Sequence, residues 1–508
     1  MTKKRIWIGS LILALMLQVV VQIWATVVLM RLEMLPTKYL IIYLVLTVLL
    51  MGATAALMFL RGKKQTVGLT RKIISMVMAV TIAVGYLPLG RIALQTKETV
   101  DSGTGKPIYV NAEARNVYVL TRADDAARSL SDAAGYTFGA INGHESTIIT
   151  RALDRIESSV GKAISIRSFS NYFDLADALL AGEIGAIVVN GATFEMLSSE
   201  RNYTDFPTKV RILNTLPYAE LKAPGDAENL VARPAPYYPL DVTRTPFIMY
   251  LSGSDTRNDK LSISRSDVNI LVIVNPTTKQ ILMVNTPRDY YVSNPAGGGA
   301  KDKLTHCGLY GVECSMQALE NLYGMTIDYY AQINFKGFET LVDAMGGITV
   351  VSGESFRAGR TQIYIGPNEL NGPAALDYAR ERYNVAGGDN GRGENQMELV
   401  EAIIDKLTSV NTLLFRAGSI LESLEGMFAT NMSYNDISKL VKLQLDKMPN
   451  WNICSYAVTG VPGNDRNYSA PGTTAYVTYP DQSSVNHAAD LINMVLNGQY
   501  LTEADLKN

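Results

Sequence analysis

The chain has 508 residues, 47% of them hydrophobic, and a formal net charge of only −2. That length allows several domains, and the near-neutral balance excludes the overall basic bias of a nucleic-acid binder. With three histidines, three cysteines and no Cys-His spacing, the sequence gives no support for a zinc centre.

Ile6 to Met30, Tyr39 to Leu60 and Ile73 to Leu94 are apolar runs, each close to the ~20 residues that cross a bilayer core. No small-residue cleavage site follows the first run and two more spans do, so three retained helices are expected and not a signal peptide. Lys3, Lys4 and Arg5 precede the first run, and Arg61, Lys63, Lys64, Arg71 and Lys72 lie between the second and third. Basic flanks mark cytoplasmic sides, so the N-terminus is expected in the cytoplasm and everything after about Gln95 outside the cell. Gln18 and Gln22 read as helix–helix contacts and Arg91 as an interfacial snorkel, which makes residues 1–97 a multi-pass anchor and not a transport path.

Residues 98–240 read as an accessory α/β domain and linker. After a polar connector from Lys97 to Lys106, Asn116 to Leu120, Ala163 to Ser168 and Ala186 to Val189 have strand character, and Glu145 to Ser159 and Tyr172 to Ala181 have helical periodicity. The pattern weakly resembles one lobe of an extracellular solute-binding protein. Ala223 to Pro239, with Pro224, Pro234, Pro236 and Pro239, suits an extended connector.

A second α/β domain, 241–508, is expected from near Asp241. Phe247 to Leu251, Val268 to Asn275 and Gln280 to Asn285 read as strands, the last two joined by an Asn275-Pro276-Thr277-Thr278 turn. Cys314 to Tyr323, Lys336 to Ala344, Gly372 to Glu381 and Gln396 to Thr408 read as helices, with further helical stretches from Leu413 to Leu445. A mixed sheet between helical layers fits this order.

Arginine and aspartate recur together beside these strands: Ser254-Asp255-Thr256-Arg257, Arg265-Ser266-Asp267, Pro287-Arg288-Asp289, Arg380-Glu381-Arg382 and Asp389-Asn390-Gly391-Arg392. A guanidinium fork matches phosphate oxygens two at a time, whereas a carboxylate facing phosphate needs a divalent cation between them. Surface ion pairs would explain any one motif, but five at strand ends point to a diphosphate and Mg²⁺. ATP is scarce outside the cell, so the phosphate is expected to arrive on the substrate. The sequence has no Gly-x-Ser-x-Gly elbow and no Walker loop, and Gly103-Thr104-Gly105-Lys106 reads as linker.

The Ser254-Asp255-Thr256-Arg257 and Arg265-Ser266-Asp267 motifs, Thr286-Pro287-Arg288-Asp289, Lys303-Leu304-Thr305-His306, Ile333-Asn334-Phe335-Lys336-Gly337-Phe338, Val342-Asp343-Ala344-Met345-Gly346-Gly347, Leu370-Asn371-Gly372 and Tyr378-Ala379-Arg380-Glu381-Arg382 together resemble the LytR-CpsA-Psr family of cell-wall ligases, in one consistent order from about Thr245 to Leu407. The three-span anchor and intervening domain look like its capsule-associated branch. The resemblance implies a phosphotransferase that moves a glycopolymer, expected to be capsular polysaccharide, from a polyprenyl-pyrophosphate carrier to peptidoglycan through a phosphodiester. The capsule polymerisation and export machinery is a further candidate partner. Position by position, it implies that Asp255 and Asp267 hold Mg²⁺, and that Arg265, Arg288, Arg380, Arg382, Arg392 and Gln396 clamp the diphosphate. Asp389 would orient Arg382 or Arg392. Asp289 would orient Arg288 or accept the acceptor's proton, with orientation favoured because an aspartate among arginines is a weak base.

Many family members carry an arginine where this chain has Asn395; since helical neighbours point apart, the change is expected to alter substrate register and leave the clamp whole. His306 suits a structural hydrogen bond better than a general base. Cys307 and Cys314 read as buried thiols or a disulfide, with Cys454 left free. Phe335, Phe338, Leu341, Leu399, Val400, Ile403, Ile404 and Leu407 could line a lipid channel but read more safely as core. Two rival functions stay open: an extracellular sensor or regulator of polysaccharide synthesis, and a hydrolase of polyprenyl pyrophosphate. The cytoplasmic parts are too small for a DNA-binding domain.

Overall fold

The computed structural model describes residues 2–31, 33–59, 65–104, 112–141, 146–199, 202–222, 240–254, 256 and 260–507. The proline-rich connector and Asp255 lie outside the described residues.

Three helices open the chain: α1 (Thr2–Arg31), α2 (Thr37–Phe59) and α3 (Gln65–Gly103). Each contains a stretch long and apolar enough to cross a membrane, Ile8–Arg31, Thr37–Phe59 and Leu69–Arg91. Gly90 lets α3 approach α1, because a Cβ there would lie 2.2 Å from the Trp24 ring. Gln18 and Gln22 are fully buried, but Gln18 donates to Gln22 within α1 at 3.3 Å. The cross-helix hydrogen bonds come instead from hydroxyls, Thr26 with Tyr43 at 3.2 Å and Thr47 with Tyr86 at 2.9 Å.

Strands β1 (Val117–Arg122), β2 (Thr137–Ile141), β3 (Ser165–Phe169), β4 (Ala186–Asn190) and β5 (Val210–Leu216) form a sheet in the order β3-β2-β4-β1-β5. β2 pairs in parallel with β3 and β4, whereas β1 is antiparallel to β4 and β5. Helices Ser146–Val160 and Tyr172–Leu180 connect them. The helix Tyr172–Leu180 belongs to a buried apolar cluster that continues through Leu304, Cys307 and Tyr310 of the second unit. Backbones meet there too: a Cβ on Gly472 would lie 1.6 Å from the Ser170 carbonyl oxygen.

The second unit is built on a six-stranded mixed sheet. In chain order its strands are β6 (Phe247–Ser254), β7 (Ser266–Asn275), β8 (Gln280–Asn285), β9 (Tyr329–Asn334), β10 (Phe428–Thr430) and β11 (Asn452–Ala457). They lie in the order β10-β9-β6-β7-β8-β11. β8 is wholly buried, as a continuous apolar run between two layers should be. The helices Val312–Tyr323 and Gln482–Leu496 share one buried apolar cluster with the sheet, and Asp389–Thr408 packs onto it through Met397, Val400 and Ile404. Helices Phe335–Ala344 and Gly372–Arg380 and the pair Ile348–Ser352/Gly366–Leu370 form a further cluster around Val342, Tyr378 and Leu399.

The register fixes where the site lies. Ser254 pairs with Ser266 and with Asn334, Ile270 pairs with Asn285, and Asn285 pairs with Ala457. The carboxyl ends of β6, β8, β9 and β11 and the start of β7 therefore share one sheet edge, the place where open α/β sheets collect ligands.

The structure departs from the expected elements in several places, among them the polar connector, where α3 runs on to Gly103. The helix expected from Gln396 begins at Asp389, so Arg392 rides on its first turns. Strand β10 interrupts the helical stretches expected from Leu413 to Leu445. The hairpin Gly460–Asn467/Ala470–Pro480 has no expected counterpart.

Candidate functional site

Asp267 stands at the start of β7 and Arg288 just beyond the end of β8, and their side chains meet: Arg288 Nη1 donates to Asp267 Oδ2 at 2.9 Å. Thr305 Oγ1 donates to the other carboxylate oxygen at 3.2 Å. Both members of the pair are largely buried, with 19% and 17% side-chain exposure for Arg288 and Asp267. Burial opposes ionisation of Asp267, but Arg288, Arg265 and Arg392 outweigh it and hold the carboxyl below its ordinary range. Burial likewise opposes the Arg288 charge, and Asp267 with Asp289 overcomes it, raising that guanidinium's pKa.

Asp289 faces the same arginine. Its Oδ2 is 3.7 Å from Arg288 Nε, and its Oδ1 accepts from Lys303 Nζ at 2.9 Å. The Lys303 position follows from a small antiparallel pair, Tyr291–Ser293 with Lys301–Lys303, in which Lys303 sits opposite Tyr291.

Arg392 reaches the cluster from the helix Asp389–Thr408. It is buried, and its Nη2 lies 2.6 Å from Asp389 Oδ1 on the preceding turn. Burial lowers its pKa, against the pull of Asp389. The helix can come this close because it is glycine-rich at its start: a Cβ on Gly393 would lie 2.2 Å from Asn285 Nδ2, at the end of β8. Gln396, one turn on, is buried and donates to the Ala379 carbonyl at 3.1 Å, tying this helix to the end of the one bearing Arg380. Asn395 is buried beside it, its Nδ2 without a hydrogen-bond partner among the described residues, so it does not turn outward from the face that carries Arg392 and Gln396. Neighbouring positions point apart on a helix, but this face is wide enough to bury both.

Thus Asp267, Arg288, Asp289, Asp389, Arg392 and Gln396 gather at one edge, with Arg265 near enough to act on Asp267 electrostatically. Arg380 is exposed and Arg382 half-exposed, and among the described residues neither bonds to this group. Arg380 stacks on the Phe335 ring at 4.8 Å and Arg382 on the Tyr383 ring at 4.7 Å. Among the described residues no three His, Cys, Asp or Glu side chains group as a metal centre. A cation here would be held by carboxylate oxygen from Asp267 together with substrate oxygens, a donor set that suits Mg²⁺.

Lys303 and Thr305 were present in the sequence motif but had no assigned role. His306 is also placed: its Nδ1 is 2.6 Å from Oδ1 of the fully buried Asp302. Asn294 Nδ2 and Ser469 hold the other oxygen of Asp302. Cys307, Cys314 and Cys454 are free thiols. Contact with Cys314 and burial push the Cys307 thiol well above its ordinary pKa, and Cys314 donates to Asn294 Oδ1 at 3.3 Å. Of the candidate channel residues, Leu399 is buried among the outer helices with Phe338, Leu341, Ile403 and Leu407 partly buried against it, Val400 and Ile404 pack partly buried against the sheet, and Phe335 lies outside both clusters, under Arg380.

The model of the LytR_cpsA_psr family matches residues 226–489, just over half of the chain. The polyisoprenyl-teichoic acid–peptidoglycan teichoic acid transferase TagU of Enterococcus faecalis is 36% identical over 39% of this chain and 65% of its own length. The transferase of the same name from Oceanobacillus iheyensis is 32% identical over 38% of this chain and 60% of its own length, so the match spans less than two thirds of these relatives. Its namesake in Halalkalibacterium halodurans is 33% identical over 39% of the chain and 68% of its own length. Among solved structures, Bacillus subtilis TagV superposes with 25% identity and a TM-score of 0.42 over 51% of this chain and 99% of TagV. The chain belongs to the LytR-CpsA-Psr family.

Proposed function

We propose that the chain transfers a glycopolymer from a polyprenyl-pyrophosphate carrier to peptidoglycan, with capsular polysaccharide the expected polymer and Mg²⁺ the expected cofactor. The observation that carries this reading is the buried group of Asp267, Arg288 and Arg392 at the carboxyl ends of the strands. It is a preformed anionic-ligand site in low dielectric, where guanidinium groups act most strongly on phosphate. The E. faecalis and H. halodurans relatives, by name, act on a polyisoprenyl-linked teichoic acid and on peptidoglycan, which supports the same chemistry for this chain.

In this reading an acceptor hydroxyl attacks the phosphorus next to the sugar, the phosphoanhydride bond breaks, and polyprenyl phosphate leaves, the hydroxyl proton passing through solvent to the leaving phosphate. Arg288 and Arg392 bind the phosphate oxygens and neutralise charge on the leaving phosphate. Asp267 fixes Arg288, and Mg²⁺, bound through Asp267 and Asp255, would supply further charge neutralisation. Asp289, already engaged by Lys303 and Arg288, orients the arginine and is a poor base. The basic flanks support a site outside the cell, where lipid-linked diphosphate and peptidoglycan meet.

Incubating the purified protein with a polyprenyl-pyrophosphate-linked oligosaccharide and peptidoglycan fragments, with Mg²⁺ or a chelator, tests this by mass spectrometry. A sugar phosphate joined to the acceptor, dependent on Mg²⁺ and reduced at least about a hundredfold in Arg288→Ala, is expected. Release of sugar phosphate without an adduct would indicate the hydrolase, and lipid binding without turnover the sensor.

A further inference from the structure

The hairpin Gly460–Asn467/Ala470–Pro480 starts at the site and leaves it carrying exposed tyrosines. Thr478 N donates to the Asp289 carbonyl at 2.8 Å, and Tyr290 bridges to Thr478. One residue further on, Tyr291 and Tyr479 meet edge to face with centroids 5.7 Å apart and planes at 86°. The Tyr479 ring is held on three sides. A Cβ on Gly463 would lie 2.4 Å from the ring, so the ring lies directly over that glycine. Tyr291 closes one edge, itself anchored by its hydroxyl to the Arg466 carbonyl at 2.6 Å, and the Tyr479 hydroxyl donates to Asp465 Oδ2 at 2.9 Å. The residue keeps 37% exposure, and its register partner Val461 keeps 62%.

A rigid aromatic face in water, backed by glycine and ringed by hydrogen-bonding groups, suits the flat C–H face of a sugar ring. The two ends of the site differ in chemistry. Arg380 stacks on the half-buried Phe335 ring at the helical end, where the preceding Ala379 packs on the outer apolar cluster, whereas Asp289, Lys303 and the tyrosines make the hairpin end polar. Entering and leaving groups in phosphoryl transfer lie roughly in line, so a lipid phosphate leaving at the apolar end requires the hydroxyl to arrive from the hairpin. We infer that Tyr479, braced by Tyr291 over Gly463, is a stacking platform for the acceptor glycan strand of peptidoglycan. The assignment rests on the transferase reading and adds the path of the acceptor.

The test uses the full-length protein in detergent and soluble, peptide-free oligomers of β-1,4-linked N-acetylglucosamine and N-acetylmuramic acid, with binding measured by calorimetry and lipid-linked donor binding measured separately. Tyr479→Ala is expected to raise the Kd for the glycan about tenfold and leave donor affinity within twofold, whereas Tyr479→Phe, which keeps the ring, stays near the unmodified protein. Gly463→Val, which lifts the ring without removing it, is a second route to the same loss should Tyr479→Ala fold poorly. Arg288→Ala is expected to abolish transfer and leave glycan binding intact, and an unmodified protein that binds the glycan but joins no sugar phosphate to it would sink the transferase reading while the platform stands. The platform is overturned if the unmodified protein binds no glycan, if both hairpin variants bind it normally, or if donor affinity falls instead.

Discussion

Neutralising Asp267 alters three guanidinium groups at once, because Arg288, Arg265 and Arg392 all act on the one carboxylate. Its pKa is depressed in the fold, so its contribution to stability is fully present above the ordinary value of 3.8 and is lost as pH falls through the lower folded value. Asp267→Asn should therefore be less stable than the unmodified protein at pH 7, with the difference shrinking on acidification below about pH 4; unfolding midpoints between pH 7 and 3 check this, and a constant gap would mean the carboxylate does not carry the shift. Asp267, Arg288 and Arg392 were legible in the sequence because each sits in a short local motif at a strand end or helix start. The bond from Ser469 to Asp302 was not, since 167 residues separate the partners and neither carries a pattern of its own.

At the scale of elements, β-branched runs made β6, β7 and β8 readable, and turn chemistry marked the hairpin between the last two. The start of the helix Asp389–Thr408 was hidden by Gly391 and Gly393, which weaken helix propensity but serve contact. A Cβ on Gly391 would lie 2.0 Å from the Ala386 carbonyl oxygen, part of the turn leading into the helix. The hairpin at Gly460 was hidden for another reason. It projects with both faces largely exposed and so lacks the apolar alternation that marks a half-buried strand. Gly391→Ala should reverse the usual sign of such a change: instead of stabilising a helix by roughly 0.5–1 kcal/mol, it should destabilise by about 1–3 kcal/mol through overpacking. It should also weaken donor binding, since the displaced turn carries Arg392, whereas Asn390→Ala on the exposed neighbour should change stability by less than about 0.5 kcal/mol. Denaturant midpoints and donor Kd for the two variants decide it.

The whole molecule ties its six-stranded sheet to the three apolar helices at two places. Lys38, at the start of α2, lies 3.4 Å from Asp446 at the end of the helix Tyr434–Lys447, and α3 packs against the helix Ala417–Ser423 and strand β10. In a three-span anchor the junction of α1 with α2 and the far end of α3 emerge on the same face of the membrane, so both contacts agree with a single side for the sheet. The charge flanks favour an external side by an independent route, because Lys3, Lys4, Arg5 and the basic residues from Arg61 to Lys72 are expected on the opposite, cytoplasmic face. Tyr383 is 81% exposed beside Arg382 and gives a handle on the site. In a Cys454→Ser background, where only the buried thiols Cys307 and Cys314 remain, a membrane-impermeant thiol reagent should label Tyr383→Cys on intact cells and Lys63→Cys only after permeabilisation. The reverse pattern would put the arginine cluster in the cytoplasm, out of reach of peptidoglycan, and the transfer reaction would have to be abandoned whatever the site's affinity for diphosphate.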